Sequence, residues 1–322
     1  MKNNKVWMIV FSIVLWIVVF GCLSVILKKN QFVGQASGGK HLIGASYMTM
    51  NNEFYEIVSE EISQRIEAEG DTLILRDPAL DVDRQITQIQ EMIDMGIDVL
   101  VLTPVDWESL TDILTTAKEK GIYIVVVDSN VKDEDMVDCT ITSDNYDAGK
   151  IIGEYFIRQQ KEAKLVLFEH TKTKSGQDRI QGFLDAIADC DNIEVVERIE
   201  CAGQLEIAMP KMKELIESGV GFDQVFCLND LASVGVVAAL DEKGLLDQVG
   251  VYGVDASPDA KALIKEGMMR ATAAQFPSKI GKAAAEKIYM LLDGETVEKN
   301  IYIPVELVTQ DNVDDYGVER WQ

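Results

Sequence analysis

Carboxylate, amide and aromatic side chains gather in this chain in short segments, each placed soon after an apolar run. The segments are Asn51-Asn52-Glu53-Phe54-Tyr55, Thr103-Pro104-Val105-Asp106, Asp128-Ser129-Asn130, Ser143-Asp144-Asn145, Asn229-Asp230, Asp255-Ala256-Ser257-Pro258 and Gln275-Phe276-Pro277. Planar carboxylates and amides hydrogen-bond in fixed directions, and aromatic rings offer flat apolar faces. Such a set suits recognition of a polar ligand better than bond making. The motifs of covalent and phosphate chemistry are missing: there is no Gly-x-Ser-x-Gly, no Gly-x-x-x-x-Gly-Lys and no His-Glu-x-x-His. Of the two histidines, His41 starts a strand pattern and His170 ends one, and Glu169-His170-Thr171 has no positioned nucleophile. An enzyme is therefore not expected. With two histidines and no metal-like cysteine spacing, neither is a metal site or a cofactor.

The elements that must position these residues alternate. Apolar β-rich runs occur at Leu42–Ala45, Thr72–Leu75, Val99–Leu102, Ile122–Val127 and Val137–Thr142, and again at Leu165–Phe168, Ile193–Ile199, Val225–Leu228, Val249–Val254 and Ala271–Ala274. Helical patterns lie between them, such as Phe54, Val58, Ile62 and Ile66 on one face, and Ile86, Ile89 and Ile93. Gly70, Gly96 and Gly121 fall where helices should stop. Strand–helix repetition predicts an α/β fold of parallel sheets with helices on both faces. The strand count suits two Rossmann-like lobes. Ligands of open α/β sheets bind beyond the carboxyl ends of the strands, which is where the polar segments fall.

The first thirty residues stand apart. Val6 to Leu27 carries no charge, and as a helix it would be about 33 Å long, enough to cross a bilayer core. Lys2, Lys5, Lys28 and Lys29 flank it nearly evenly, so the positive-inside rule gives no orientation. Two readings compete: an uncleaved anchor, or a lipoprotein signal cut before Cys22 in Val19-Phe20-Gly21-Cys22. The apolar run continues past Cys22, which favours the anchor. Residues 1–29 are thus expected to be the membrane segment and 30–40 a linker. The remaining stretch of roughly 280 residues is long for a single core and suits two lobes. A net charge of −24 opposes nucleic-acid binding. The five cysteines are an odd count with Cys22 in the membrane segment and Cys227 in an apolar run, and no disulfide is expected among Cys139, Cys190 and Cys201.

Taken in order, Asn-Asn-x-Phe-Tyr, the aspartate after the fourth strand, Ser-Asp-Asn, Asn-Asp and Gly-Val-Asp-x-x-Pro resemble the ribose/galactose-type periplasmic binding proteins of bacterial ABC transporters, over about Lys40 to Gln310. The resemblance implies a type I fold with a three-segment hinge near Thr142–Ser143, Gln275–Phe276 and Pro304–Val305. The lobes it implies are residues 41–142 plus 276–304 and residues 143–275 plus 305–322. It also implies a ligand cleft that closes by hinge motion. It assigns ligand contact to Asn52, Phe54, Tyr55, Asp128, Asn229, Asp255 and Gln275. The chemistry agrees: aromatics stack on the C–H faces of a sugar ring, and carboxylates and amides bond its hydroxyl rim. Thr103, Asp144, Gln177 and Arg179 are secondary candidates. Asp144 and Asn145 suit a helix cap or hinge contact as well, and Asp230 suits an N-cap.

The pattern also breaks. Ribose binders often carry arginine after the strand-end aspartate, where this chain has Ser129. Gln177 aligns with a second arginine, with Arg179 two residues on, and Ala202-Gly203-Gln204 replaces an aromatic. Ribose specificity does not carry over. A neutral hexose, a polyol such as inositol and an amino sugar all remain open. The expected function is an extracytoplasmic, membrane-tethered receptor that delivers a monosaccharide or polyol to an ABC permease. The alternative partner is a membrane sensor histidine kinase. A sensor that binds no small molecule is a further option. A transcription regulator is disfavoured, because the chain has a membrane segment where a helix-turn-helix would be needed.

Overall fold

The computed structural model describes residues 41–322. The expected membrane segment and linker, with Cys22, lie outside the described residues. Among the described residues, no helix is long and apolar enough to cross a membrane.

Two six-stranded sheets form the body. The first runs in the order β11-β5-β4-β3-β1-β2, from β1 (Leu42–Ser46), β2 (Thr72–Arg76), β3 (Val99–Leu102), β4 (Tyr123–Val127), β5 (Cys139–Ser143) and β11 (Asn300–Ile303). The second runs β12-β10-β9-β8-β6-β7, from β6 (Ala163–Glu169), β7 (Ile193–Glu200), β8 (Gln224–Cys227), β9 (Gly250–Asp255), β10 (Ala271–Ala274) and β12 (Glu306–Thr309). The ten apolar runs all became strands. β11 and β12 carry no comparable signal. They are four residues each, at sheet edges, and Tyr302 in β11 is 59% exposed.

The sheets are not wholly parallel, as the sequence pattern implied. β12 pairs antiparallel with β10, with Glu306 opposite Ala274. The cause is the path of the chain. β11 runs parallel to β5 and ends opposite Ser143, at the carboxyl end of the first sheet. After Pro304-Val305 the chain enters the second sheet from its carboxyl end, so β12 must run backwards. The other two crossings, after Ser143 and after Gln275, leave the same ends. All three connections therefore converge on the strand ends that carry the polar segments.

The helices bury the faces their spacing predicted. In α1 (Glu53–Glu69), Phe54, Val58, Ile62 and Ile66 are buried against the first sheet. Gly70 and Gly96 close helices at φ 79° and 81°, a left-handed conformation that costs glycine nothing. One helix pair bears directly on the site. α4 (Asn145–Gln159) and α5 (Lys174–Ile187) cross so closely that a Cβ on Gly149 would lie 1.8 Å from the Arg179 carbonyl oxygen, and one on Gly182 would lie 2.0 Å from that of Tyr146. Only hydrogen atoms fit at that crossing, and it brings Arg179 beside the start of α4. Cys139, Cys190, Cys201 and Cys227 are free.

Candidate functional site

A cavity partly open to solvent lies between the carboxyl ends of the two sheets. The first lobe contributes Asn52, Phe54, Tyr55 and Asp128 to its wall. The second contributes His170, Arg179, Asn229, Asp255 and Gln275.

In the first lobe, Asn52 caps α1, its side chain accepting from the Phe54 N–H at 3.0 Å. That cap sets the start of the helix and turns Phe54 and Tyr55 towards the cavity. Their rings pack edge to face with centroids 5.4 Å apart. The Tyr55 hydroxyl donates to Asp128 Oδ2 at 2.8 Å. Asp128 sits at φ 69°, a conformation rare outside glycine, and its main-chain N–H donates to the Ile141 carbonyl. Burial raises the Asp128 pKa, and the Arg179 charge offsets this only in part.

In the second lobe the polar groups form a network. Arg179 is 4% exposed. Its Nε donates to Asn145 Oδ1 at 2.8 Å, its Nη1 donates to the Leu228 carbonyl at 3.1 Å, and Nη1 lies 3.6 Å from Asp255 Oδ1. Gln275 Nε2 donates to Asp255 Oδ1 at 2.6 Å, and the Asp230 N–H donates to Asp255 Oδ2 at 3.3 Å. Asp255 also has positive φ, 136°. Burial pushes its pKa up to about 6 against the pull of Arg179. Asn229 caps α7 (Asp230–Glu242) by accepting from the Ala232 N–H, and it donates to the Gly203 carbonyl at 3.0 Å. Gln275 Oε1 is buried without a donor.

Several sequence-predicted residues fall elsewhere. Gln177 is half-buried and donates to the Thr171 carbonyl, outside this cavity, whereas Arg179 lines it. Two residues apart on a helix is roughly 200° around it, so the two side chains face opposite ways. Thr103 is fully buried, and its hydroxyl donates to the Val127 carbonyl. Asp144 caps α4 through the Asp147 N–H. Asp230 does not cap its helix, because Asn229 does. Its Oδ2 accepts from the Ser257 N–H and its Oδ1 from the Thr272 hydroxyl, and burial holds its pKa well above the usual range. The sequence reading missed Thr173, Ser175 and Gln204 in the wall. Thr173 left a usable signal, because it caps α5. Gln204 left none.

The lobes touch across the mouth. The Trp107 N–H donates to the Lys172 carbonyl at 3.0 Å, the Ser175 N–H to Ser129 Oγ at 3.2 Å, and Asn51 Nδ2 to Gln204 Oε1 at 3.1 Å. At the chain's last residues, Trp321 packs on Phe54 while Gln322 Nε2 donates to the Asp255 carbonyl. Contacts from both lobes thus flank the cavity.

Two lobes joined by three crossings, with a polar cavity between them, is the geometry of a solute receptor. The periplasmic binding protein domain family matches residues 43–296. The chain belongs to that family. It is a solute-binding protein and not an enzyme. Among its relatives is the ribose import binding protein of Bacillus subtilis, 27% identical over 93% of this chain and 98% of that one. Among solved structures, an ABC transporter solute-binding protein of Bacillus halodurans with bound myo-inositol superposes with a TM-score of 0.82. It is 26% identical and covers 88% of this chain and 99% of its own. One from Mycobacterium smegmatis with bound glycerol gives a TM-score of 0.81 at 28% identity, with 86% and 97% covered.

Proposed function

We propose that the protein captures a monosaccharide or related polyol in the interlobe cleft and delivers it to an ABC importer. The N-terminal segment would hold it to the outer face of the cell membrane. In this reading the lobes are residues 41–142 with 276–304 and residues 143–275 with 305–322. They open and close about the three crossings.

One observation carries the reading. One interlobe cavity combines the Phe54–Tyr55 aromatic pair with Asp128, Arg179, Asp255 and Gln275, and leaves Gln275 Oε1 as an acceptor without a donor. Leaving a buried polar group unpaired costs about 1–3 kcal/mol. A hydroxyl-rich ring would supply that donor while its C–H face covers an aromatic. The relatives named for ribose import, and those solved with myo-inositol and glycerol, support the same ligand class.

Thermal unfolding of the protein against pentoses, hexoses, inositols and amino sugars tests the proposal. A ligand at 100 times its dissociation constant should stabilise the fold by about 2.7 kcal/mol, a shift of a few degrees. A flat panel across all classes would overturn it.

A further inference from the structure

Building on the carbohydrate reading, we propose that the cleft selects a sugar or cyclic polyol bearing an ammonium group, held by Asp128, over its neutral counterpart.

The charges of the cavity do not balance. Asp128 and Asp255 both line it and are 5% and 4% exposed. Among the residues that line it, Arg179 is the one lysine or arginine, with Nη1 3.6 Å from Asp255 Oδ1. His170, also in the wall, adds no positive charge at neutral pH, because burial lowers its pKa against the opposing pull of Glu200. Behind Asp255, Asp230 is outside the cavity wall with both oxygens accepting, from the Ser257 N–H and the Thr272 hydroxyl, and Lys261 turns its ammonium to the Arg320 carbonyl and Gln322 Oε1. With both cavity carboxylates ionised, one negative charge is in excess.

The two carboxylates are also unequal. Both oxygens of Asp255 already accept, from Gln275 and from the Asp230 N–H, with Arg179 close by. On Asp128, Oδ2 accepts from Tyr55, while Oδ1 has no protein donor among the described residues. Also in the wall, Gln275 Oε1 is a buried acceptor without a donor. The unmet demand in this cavity is thus for donors, and one of the two acceptors is a charged oxygen. An ammonium offers three donors and no acceptor, whereas a hydroxyl offers one donor. A buried charge left uncompensated is costly, and charge-assisted bonds are about twice as strong as neutral ones. A neutral ligand leaves the excess charge uncompensated in the closed cleft, which favours proton uptake on binding. An ammonium ligand needs no such uptake.

Calorimetry on the full chain tests this with matched pairs: D-glucosamine with D-glucose, D-galactosamine with D-galactose, and an aminodeoxyinositol with myo-inositol. At pH 7 the amine of at least one pair should bind tenfold or more tighter than its neutral partner. At pH 5 the ligand amine is fully charged, so any loss of that advantage must come from protonation of the cleft carboxylates. The advantage should shrink there. Asp128→Asn keeps the shape and removes the charge, and should reduce the advantage to near unity. Proton exchange, read from the dependence of the heat on buffer, checks the native protein without any substitution. The neutral partner should bind with net proton uptake and the amine without it. Equal or tighter binding of the neutral partner in every pair would overturn the ammonium preference and leave the carbohydrate reading standing. No binding by any member would overturn the ammonium preference, and a flat result with pentoses as well would overturn both.

Discussion

The two walls of the cleft are built differently. The second-lobe wall is a closed network: Arg179, Asp255, Gln275, Asn145 and the Leu228 carbonyl hold one another before any ligand arrives. The first-lobe wall is a pair of rings and one carboxylate, with the single bond from Tyr55 to Asp128 tying them together. One wall is preorganised by the fold, and the other leaves its charged acceptor half open to the ligand. Damage to the second wall should therefore register first in stability. Damage to the first should register in affinity.

The largest expected effect is at Arg179. Arg179→Ala leaves Asp255 buried with no countercharge and frees Asn145, so unfolding free energy should fall by about 3–5 kcal/mol in urea titration. A loss under about 1 kcal/mol would show that the network does not support the fold. Next is the α4–α5 crossing. Gly149→Ala places a methyl against the Arg179 backbone and should cost about 3 kcal/mol or more, and ligand affinity should drop with it as Arg179 moves. The matching position in the first lobe is Gly281, whose Cβ would approach Glu61 and Val58 at 2.7–2.8 Å. Gly281→Ala should destabilise less and leave the cleft residues in place. Equal effects at the two glycines would erase the contrast.

Asp128→Ala should weaken ligand binding by about tenfold or more on calorimetry, through loss of a charge-assisted bond, while the thermal midpoint stays nearly unchanged. Unchanged affinity would remove Asp128 from the site. Tyr55→Phe deletes only the hydroxyl that orients Asp128 and should cost roughly 1 kcal/mol in affinity.

The smallest effect is a pH dependence. Burial raises Asp255 to about 6, above an unfolded value near 3.8. Between about pH 4 and 6 the folded state then holds more proton than the unfolded state, so this group's contribution to stability falls as pH rises through that window. Asp255→Asn should flatten that part of the stability curve measured by urea unfolding. An unchanged curve would place the titration elsewhere.

Much of this was legible in the sequence, for reasons that differ by residue. Apolar runs flanked by polar strand ends mark buried parallel strands, so β1 to β10 showed themselves. β11 and β12 did not, because a short edge strand with an exposed Tyr302 carries no such run. The strand-end aspartates, Asn52, Asn229 and Gln275 could be placed near the cleft because the ends of parallel strands share one side of a sheet. Arg179 could not be ranked above Gln177 from an alignment alone. The two lie on opposite faces of α5, and which face meets the cleft is fixed by the glycine contact with α4. Asp230 was misjudged as a cap because capping geometry belongs to the residue before the helix, and here that is Asn229.

The sequence by itself determined the alternation of strands and helices, the position of the polar segments at strand ends, and the membership in a two-lobed family. Those are local properties, set by periodicity and by the order of motifs along the chain. Only the tertiary structure decided that the Arg179 guanidinium meets Asp255, that Asp128 keeps an oxygen free, and that β12 runs backwards. Each of these depends on which groups from distant parts of the chain meet in a space too small for water to screen them, and spacing along a chain does not specify that meeting.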